Sequence, residues 1–222
     1  MPRWRMRRVE DEWGRAMARF NRAASLVYAV LSLSIAGSAW AADVNTIATG
    51  CMNCHDKDGV STAPSVPSIA GMSAAYIADE INDYKKKERP CPEAEVRSGD
   101  KKGTKTNMCE VVKDLSDTDV KAIAGFFAGK KFVPANQSFD AARAKIGQQL
   151  HSQNCEKCHS KNGSDPADDS GFLAGQWTPY LKEQLALFAA GKRIADPKMK
   201  PVIAKLDNDA FDALLNYYAS LK

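Results

Sequence analysis

Two short runs carry most of the chemistry this chain could perform. Cys51-Met52-Asn53-Cys54-His55 and Cys155-Glu156-Lys157-Cys158-His159 each set two thiols about one helical turn apart, with an imidazole directly behind them. Covalent attachment of a c-type haem needs this arrangement: the thiols add across two vinyl groups as thioethers, and the adjacent histidine reaches the iron from the proximal side. Other uses of the same cysteines fit less well. A zinc site can employ paired Cys-x-x-Cys, but these pairs lie 104 residues apart and would leave both histidines as coincidences. A thioredoxin-like dithiol needs a βαβ setting that the flanking sequence lacks, and a disulfide closed inside Cys-x-x-Cys would be strained. The reading is two covalently bound haem c groups, one on Cys51 and Cys54 and one on Cys155 and Cys158, with His55 and His159 as proximal iron ligands.

The sixth iron position separates an electron carrier from a catalyst or a gas-binding protein. Beyond the second motif there is a single methionine, Met199, 40 residues after His159 and flanked by Pro197 and Pro201, which suggests an extended loop presenting the thioether. In the first half Met52 is trapped inside the attachment motif, leaving Met72 and Met108; Met108 is the register partner of Met199 and the better ligand, with Met72 read as packing. His151 stands four residues before Cys155 and is read as a surface or packing residue, not a ligand.

These groups need elements to hold them, and internal repetition defines those elements. The offset of 104 also carries Ala70-Gly71 onto Ala174-Gly175, Tyr76 onto Tyr180 and Tyr84 onto Phe188. Further on the offset falls to 91, taking Met108 to Met199, Leu115 to Leu206 and Phe126-Phe127 to Tyr217-Tyr218, so the first half carries 13 extra residues between Tyr84 and Met108. Ser116 with Asp119 resembles a capping box ahead of Val120, Ile123, Ala124 and Phe127; Asp207 can cap Phe211, Leu214, Leu215 and Tyr218 in the second copy. Ala142, Ile146, Gln149 and Leu150 mark an amphipathic helix before the second motif, with a short counterpart from 44 to 50, and 76–86 and 180–190 supply middle helices. Strand-like alternation is scarce. The expected fold is all-α: two tandem domains at 42–131 and 140–222, each a small helical fold around one haem, joined by a linker at 132–139.

Composition bounds the setting. Of 222 residues 44% are hydrophobic and 26% charged, which suits a globular chain and excludes both a polytopic membrane protein and a disordered one. Seven of the 31 Lys and Arg, against three of the 27 Asp and Glu, fall in residues 1–41, so the formal charge of +4 belongs to that segment and the rest is balanced, with no electrostatic reason to bind nucleic acid. The segment reads as a signal peptide: arginines, then an apolar run from Ala23 to Ala36 that is short for a membrane span, then Ala39-Trp40-Ala41 as a cleavage pattern. The mature chain is expected in the periplasm, with no transmembrane span. There Cys91 and Cys109, 18 residues apart at the two sides of the insertion, are expected to pair and to restrain the segment bearing Met108; free thiols are the alternative. Lys85, Lys86, Lys87, Arg89, Lys101, Lys102 and Lys105 form a basic run that is either a partner-steering patch or a solvated face.

With these residues in place, the chain resembles dihaem class I cytochromes c of the c4 type. More narrowly, Phe132-Val133-Pro134-Ala135-Asn136-Gln137-Ser138-Phe139-Asp140 and Leu173-Ala174-Gly175-Gln176-Trp177-Thr178-Pro179-Tyr180-Leu181 resemble the cytochrome subunit of flavocytochrome c sulfide dehydrogenase; the insertion bearing Cys91 and Cys109 departs from it. The resemblance implies electron transfer without catalysis, with a flavoprotein (FAD) subunit oxidising sulfide as donor. The other readings are an independent c4-like shuttle to a terminal oxidase or other redox protein, and a dihaem enzyme, which would need an open distal site. It also implies a proline carbonyl, Pro64 or Pro67, behind the first proximal histidine, absent from Asp168-Asp169-Ser170-Gly171-Phe172 in the second half. Trp177 is read as a donor to a haem propionate or as core.

Overall fold

A computed structural model describes residues 36–222; the signal-peptide reading falls outside the described residues except for 36–41, which are helical. Residues Thr46–Lys222 form one compact unit. The helices among the described residues include α1 (Ala36–His55), α2 (Ala74–Lys86), the short α3 (Met108–Val112), α4 (Asp117–Ala128), α5 (Ala141–Asn154), α6 (Thr178–Ala189), the short α7 (Lys200–Ile203) and α8 (Asn208–Ser220). A two-stranded antiparallel hairpin, β1 (Ala94–Glu95) with β2 (Lys105–Thr106), lies inside the first-half insertion. No helix among the described residues is long and apolar enough to cross a membrane.

The sequence repeat is repeated bond for bond in the backbone. Gly59 and Gly163 both turn at positive φ (78° and 79°), where a side chain would be strained. Each presents its carbonyl to the same chain return: Ile69 N–H donates to Gly59 O and Leu173 N–H to Gly163 O, both at 2.8 Å. Gly71 N–H then donates to Phe127 O and Gly175 N–H to Tyr218 O, both at 2.9 Å, tying each return to its last helix. The capping box forms as expected, Ser116 Oγ accepting from Asp119 N–H and Asp119 returning the bond, and Asp207 caps α8.

Two local expectations are corrected. The Met199 segment is not extended: Met199 sits in αR conformation at the head of α7, as Met108 opens α3 behind its cap Asn107. Pro201 lies in the first turn of α7, where no intrahelical N–H is required, so it starts that turn. In α5 the buried face is Ala144, Gly147 and His151, while Ile146 is 45% exposed. Small residues win that face because α8 crosses so closely that a Cβ on Gly147 would stand 2.0 Å from the Ala213 carbonyl oxygen. His151 is accordingly a packing residue, with Nδ1 3.0 Å from Tyr218 Oη and Nε2 2.6 Å from Glu156 Oε2.

The repeats are joined by hydrogen bonds as well as apolar contact. Gln176, fully buried, accepts from Ser68 N–H and donates to Ser68 O; Trp177 Nε1 donates to Ser61 O at 2.8 Å; Tyr180 N–H donates to Pro64 O. From the linker, Ala135 N–H donates to Gly175 O, while the Gln137 amide bridges Gln176 O and the Thr178 N–H.

Candidate functional site

Helix α1 ends on the first attachment motif, which places Cys51, Cys54 and His55 on the wall of a cavity of about 1000 Å³. Met108 lines the same cavity, as do Met72, Ile77, Ile81, Ile123 and Phe127. The structure therefore brings His55 and Met108 together around one space. Met72, 4% exposed, borders that space as part of the core, and Met52 is occupied by accepting the Asp58 N–H on its sulfur.

His55 is oriented from behind. Its Nδ1 lies 2.9 Å from Pro67 O, and a carbonyl can only accept, so the proton is on Nδ1 and Nε2 keeps its lone pair. Burial holds the ring below its ordinary pKa, which keeps it neutral and able to bind a metal. Of the two proline carbonyls expected here, Pro67 takes the histidine and Pro64 takes the Tyr180 N–H of the other repeat. Burial also raises the Cys51 thiol to about 11 and pushes Cys54 and Cys155 upward, so these groups stay protonated and are poor redox thiolates. Among the described residues there is no group of three or more His, Cys, Asp and Glu placed to hold a metal ion.

Cys155, Cys158 and His159 follow directly after α5, and Met199 lies half-buried at the head of α7, which packs on α6. Burial lowers the His159 pKa as it does that of His55. The group behind it differs: Ser170 Oγ stands 3.2 Å from His159 Nδ1, a hydroxyl where the first repeat has a carbonyl. Sequence reasoning saw that this stretch lacked a proline but missed the serine that takes its place.

Around the first site the insertion is anchored on the attachment motif. Cys91 and Cys109 form a disulfide with Cα atoms 5.8 Å apart, one residue from Met108. Arg97 and Ser98 N–H both donate to Asn53 O, and the Arg97 guanidinium reaches Asp56. The basic run does not form one patch: Arg89 is 5% exposed, Lys85 donates to Leu115 O, and Lys105 lies 3.9 Å from Glu93. Trp177 does not serve as a propionate donor, because its indole N–H is taken by Ser61 O.

The joint between repeats also holds residues that sequence reasoning missed. Arg89 and Arg193 both reach Glu80; Arg89 also donates to Tyr180 Oη at 3.0 Å, and both arginines donate to Gln184 Oε1 at 2.8 Å. The signal was present: the offset that carries Tyr76 onto Tyr180 also carries Glu80 onto Gln184 and Arg89 onto Arg193.

Comparison with known proteins agrees with this geometry. The family model for cytochrome c matches residues 41–129. Cytochrome c4 of Stutzerimonas stutzeri is 33% identical over 214 residues, covering 88% of this chain and 98% of that protein. The crystal structure of reduced recombinant cytochrome c4 from Pseudomonas stutzeri matches with a TM-score of 0.65 at 31% identity, covering 82% of this chain and 97% of that one. Further off, a thiosulfate dehydrogenase electron acceptor of Stutzerimonas stutzeri is 24% identical over 192 residues, covering 80% of this chain and 81% of that protein. A mostly helical fold of two cytochrome c repeats, paired Cys-x-x-Cys-His motifs for covalent haem c and near-complete coverage of its relatives converge: this chain belongs to the cytochrome c4 family of electron-transfer proteins.

Proposed function

We propose that the chain is a periplasmic dihaem electron carrier with domains at 42–131 and 140–222, in which Cys51 and Cys54 tether one haem and Cys155 and Cys158 the other. His55 and Met108 would hold the iron of the first haem, and His159 and Met199 that of the second. When bound, the haems supply a one-electron ferrous/ferric couple. The protein's part would be to hold these side chains in place so that oxidation and reduction need little rearrangement. The observation that carries this reading is the His55 ring held by Pro67 O, with Nε2 left for a cavity whose wall also bears Cys51, Cys54 and Met108. An intact mass of the exported protein with two added haems, together with failure of carbon monoxide to bind the native ferrous form, is the expected result. Zinc in place of haem, or one haem that binds carbon monoxide readily, overturns it.

As to partners, an independent shuttle is favoured over a permanent flavoprotein subunit. The two runs that resemble the sulfide dehydrogenase cytochrome are largely spent inside the molecule: Gly175, Gln176, Trp177 and Tyr180 bond to the linker or the first repeat, and Ala135 and Gln137 complete the joint. Their resemblance is thus accounted for by the way two repeats join, without a flavoprotein. The thiosulfate dehydrogenase acceptor among its relatives supports a donor that oxidises a sulfur compound, with an oxidase or another redox protein downstream. Pull-down from periplasm should recover the free cytochrome; stoichiometric co-purification of an FAD protein would establish the flavoprotein reading instead.

A further inference from the structure

His151 is 1% exposed, yet both of its ring nitrogens are engaged. Nε2 faces Glu156 Oε2 at 2.6 Å and Nδ1 faces Tyr218 Oη at 3.0 Å. Tyr218 Oη also bonds the sulfur of Cys155. A line of polar atoms thus runs from Glu156, whose side chain is 42% exposed, to a cysteine that would carry the second haem. The first repeat has no counterpart in its sequence. The register that pairs the halves places Ile47, Met52 and Phe127 where the second has His151, Glu156 and Tyr218, so three apolar side chains stand in for three that exchange protons.

The protons along this line can be counted. A carboxylate only accepts, so His151 donates Nε2–H to Glu156. Tyr218 has one hydroxyl proton, and burial keeps it there by holding the phenol well above its ordinary pKa. With His151 neutral, Nδ1 accepts from the Tyr218 hydroxyl, and the Cys155 sulfur has no donor. With His151 protonated, Nδ1–H donates to Tyr218 Oη, and the hydroxyl is free to donate to the sulfur, which as a thioether only accepts. Burial penalises the cation; Glu156 and the position of His151 in the last turn of α5 favour it. The other groups around the ring are spoken for. Tyr217, 5.6 Å away between ring centroids, donates its hydroxyl to Asn162 Oδ1, and burial keeps His159 neutral. Arg143, about two turns back along α5, is paired with Asp209 and Asp212 of α8.

We propose that His151, Glu156 and Tyr218 form a proton site coupled to the second haem: as one electron leaves that haem for the redox partner, a proton leaves His151 through Glu156 to water, and reduction reverses both. The inference rests on the haem reading above and adds proton exchange to it. The sign follows from charge. A protonated His151 and a hydroxyl donated to the thioether sulfur both disfavour the ferric state, so the second midpoint is highest where His151 is protonated and falls as pH rises through the imidazole range.

The experiment uses the dihaem holoprotein, checked by intact mass for two haems, with each midpoint titrated across about pH 5 to 8 and assigned through the haem methyl resonances. The second midpoint should fall by about tenfold in the ferric/ferrous ratio, which is 59 mV for one electron, and the first should move less. Nitrogen NMR of the His151 ring should show it titrating at higher pH in the ferrous form than in the ferric one, a difference that packing alone would not produce. His151→Gln should level the second midpoint near its high-pH value. Glu156→Gln, at the exposed end, removes the counter-charge and should move the titration to lower pH; Tyr218→Phe should keep the titration and lose the part of the shift carried by the sulfur. If a buried variant does not fold, Glu156→Gln and the NMR of the parent still decide. A second midpoint that ignores pH, a His151 that titrates alike in both oxidation states, or a pH dependence that survives in His151→Gln overturns the proposal and leaves His151 as packing. A parent chain without haem overturns the electron-carrier reading, and this site with it.

Discussion

The two repeats share the backbone that frames each candidate haem site and differ in what restrains it. Gly59 and Gly163 turn alike, and each chain return is bonded to its last helix at the same distance. The first repeat, however, holds its distal segment with a disulfide-closed hairpin anchored on Asn53, and its proximal histidine with a carbonyl. The second lacks the insertion and concentrates its order where α5 crosses α8, around Gly147, buried His151, Tyr217 and Tyr218. A duplicated frame thus conserves positioning while stability and electronic environment diverge, and substitutions should strike the repeats separately.

The largest effect is expected at Gly147. An alanine Cβ there meets backbone, the Ala213 carbonyl at 2.0 Å, which no side-chain rotation relieves, so Gly147→Ala should force α5 and α8 apart and cost about 3 kcal/mol or more. Denaturant unfolding followed at each haem should show the second repeat failing first, the first retaining its midpoint. A neutral outcome would mean the helices cross less closely than described.

The converse test is Cys91→Ser with Cys109→Ser. Opening a crosslink of 18 residues should remove about 3 kcal/mol from the first repeat alone. Because Cys109 follows Met108, the ferric Met–iron charge-transfer band should fall toward half while the second haem's contribution persists. An unchanged band together with unchanged stability would separate the disulfide from ligand positioning.

Coupling between the repeats is the subject of a third test. Gln176→Ala leaves the buried Ser68 N–H and C=O without their partner, at a cost of about 2 kcal/mol. The loss falls on the joint, so a single unfolding transition should resolve into two. If both repeats instead weaken in concert, Gln176 supports each separately.

Much of this was legible in the sequence, for identifiable reasons. Cys-x-x-Cys-His is a covalent requirement and survives any packing; the 104 and 91 offsets set Met108 in register with Met199 and matched the middle and last helices of the two halves, while the helix before the first motif runs Ala36–His55 where a short one from 44 to 50 was expected; the Ser116/Asp119 box is local chemistry. What failed depended on a second element. Ile146 looked like core because apolar spacing cannot reveal that α8 approaches closely enough to require Gly147. Trp177 and Arg89 looked available for a propionate and for a partner because nothing local marks the opposite repeat as their neighbour. Comparing the repeats beyond aromatic and ligand positions would have found Glu80, Gln184 and the two arginines; the pairing of Ser170 with His159 needed the fold.

The smallest effect probes the proximal difference. Pro67 O can only accept, so it holds the His55 Nδ1–H and adds electron density to the ring, favouring the ferric state. Ser170 Oγ, at 3.2 Å from His159 Nδ1, is a longer and weaker acceptor whose hydroxyl can also turn toward other partners. Removing it in Ser170→Ala should therefore raise the midpoint of the second haem by an amount corresponding to about 0.5–1 kcal/mol, leaving the first unmoved. Threonine, which keeps the hydroxyl, should restore the parent value. A shift at the first haem, or a fall at the second, would show that the hydroxyl is not accepting from the proximal histidine, and the contrast between carbonyl and hydroxyl would lose its electronic content.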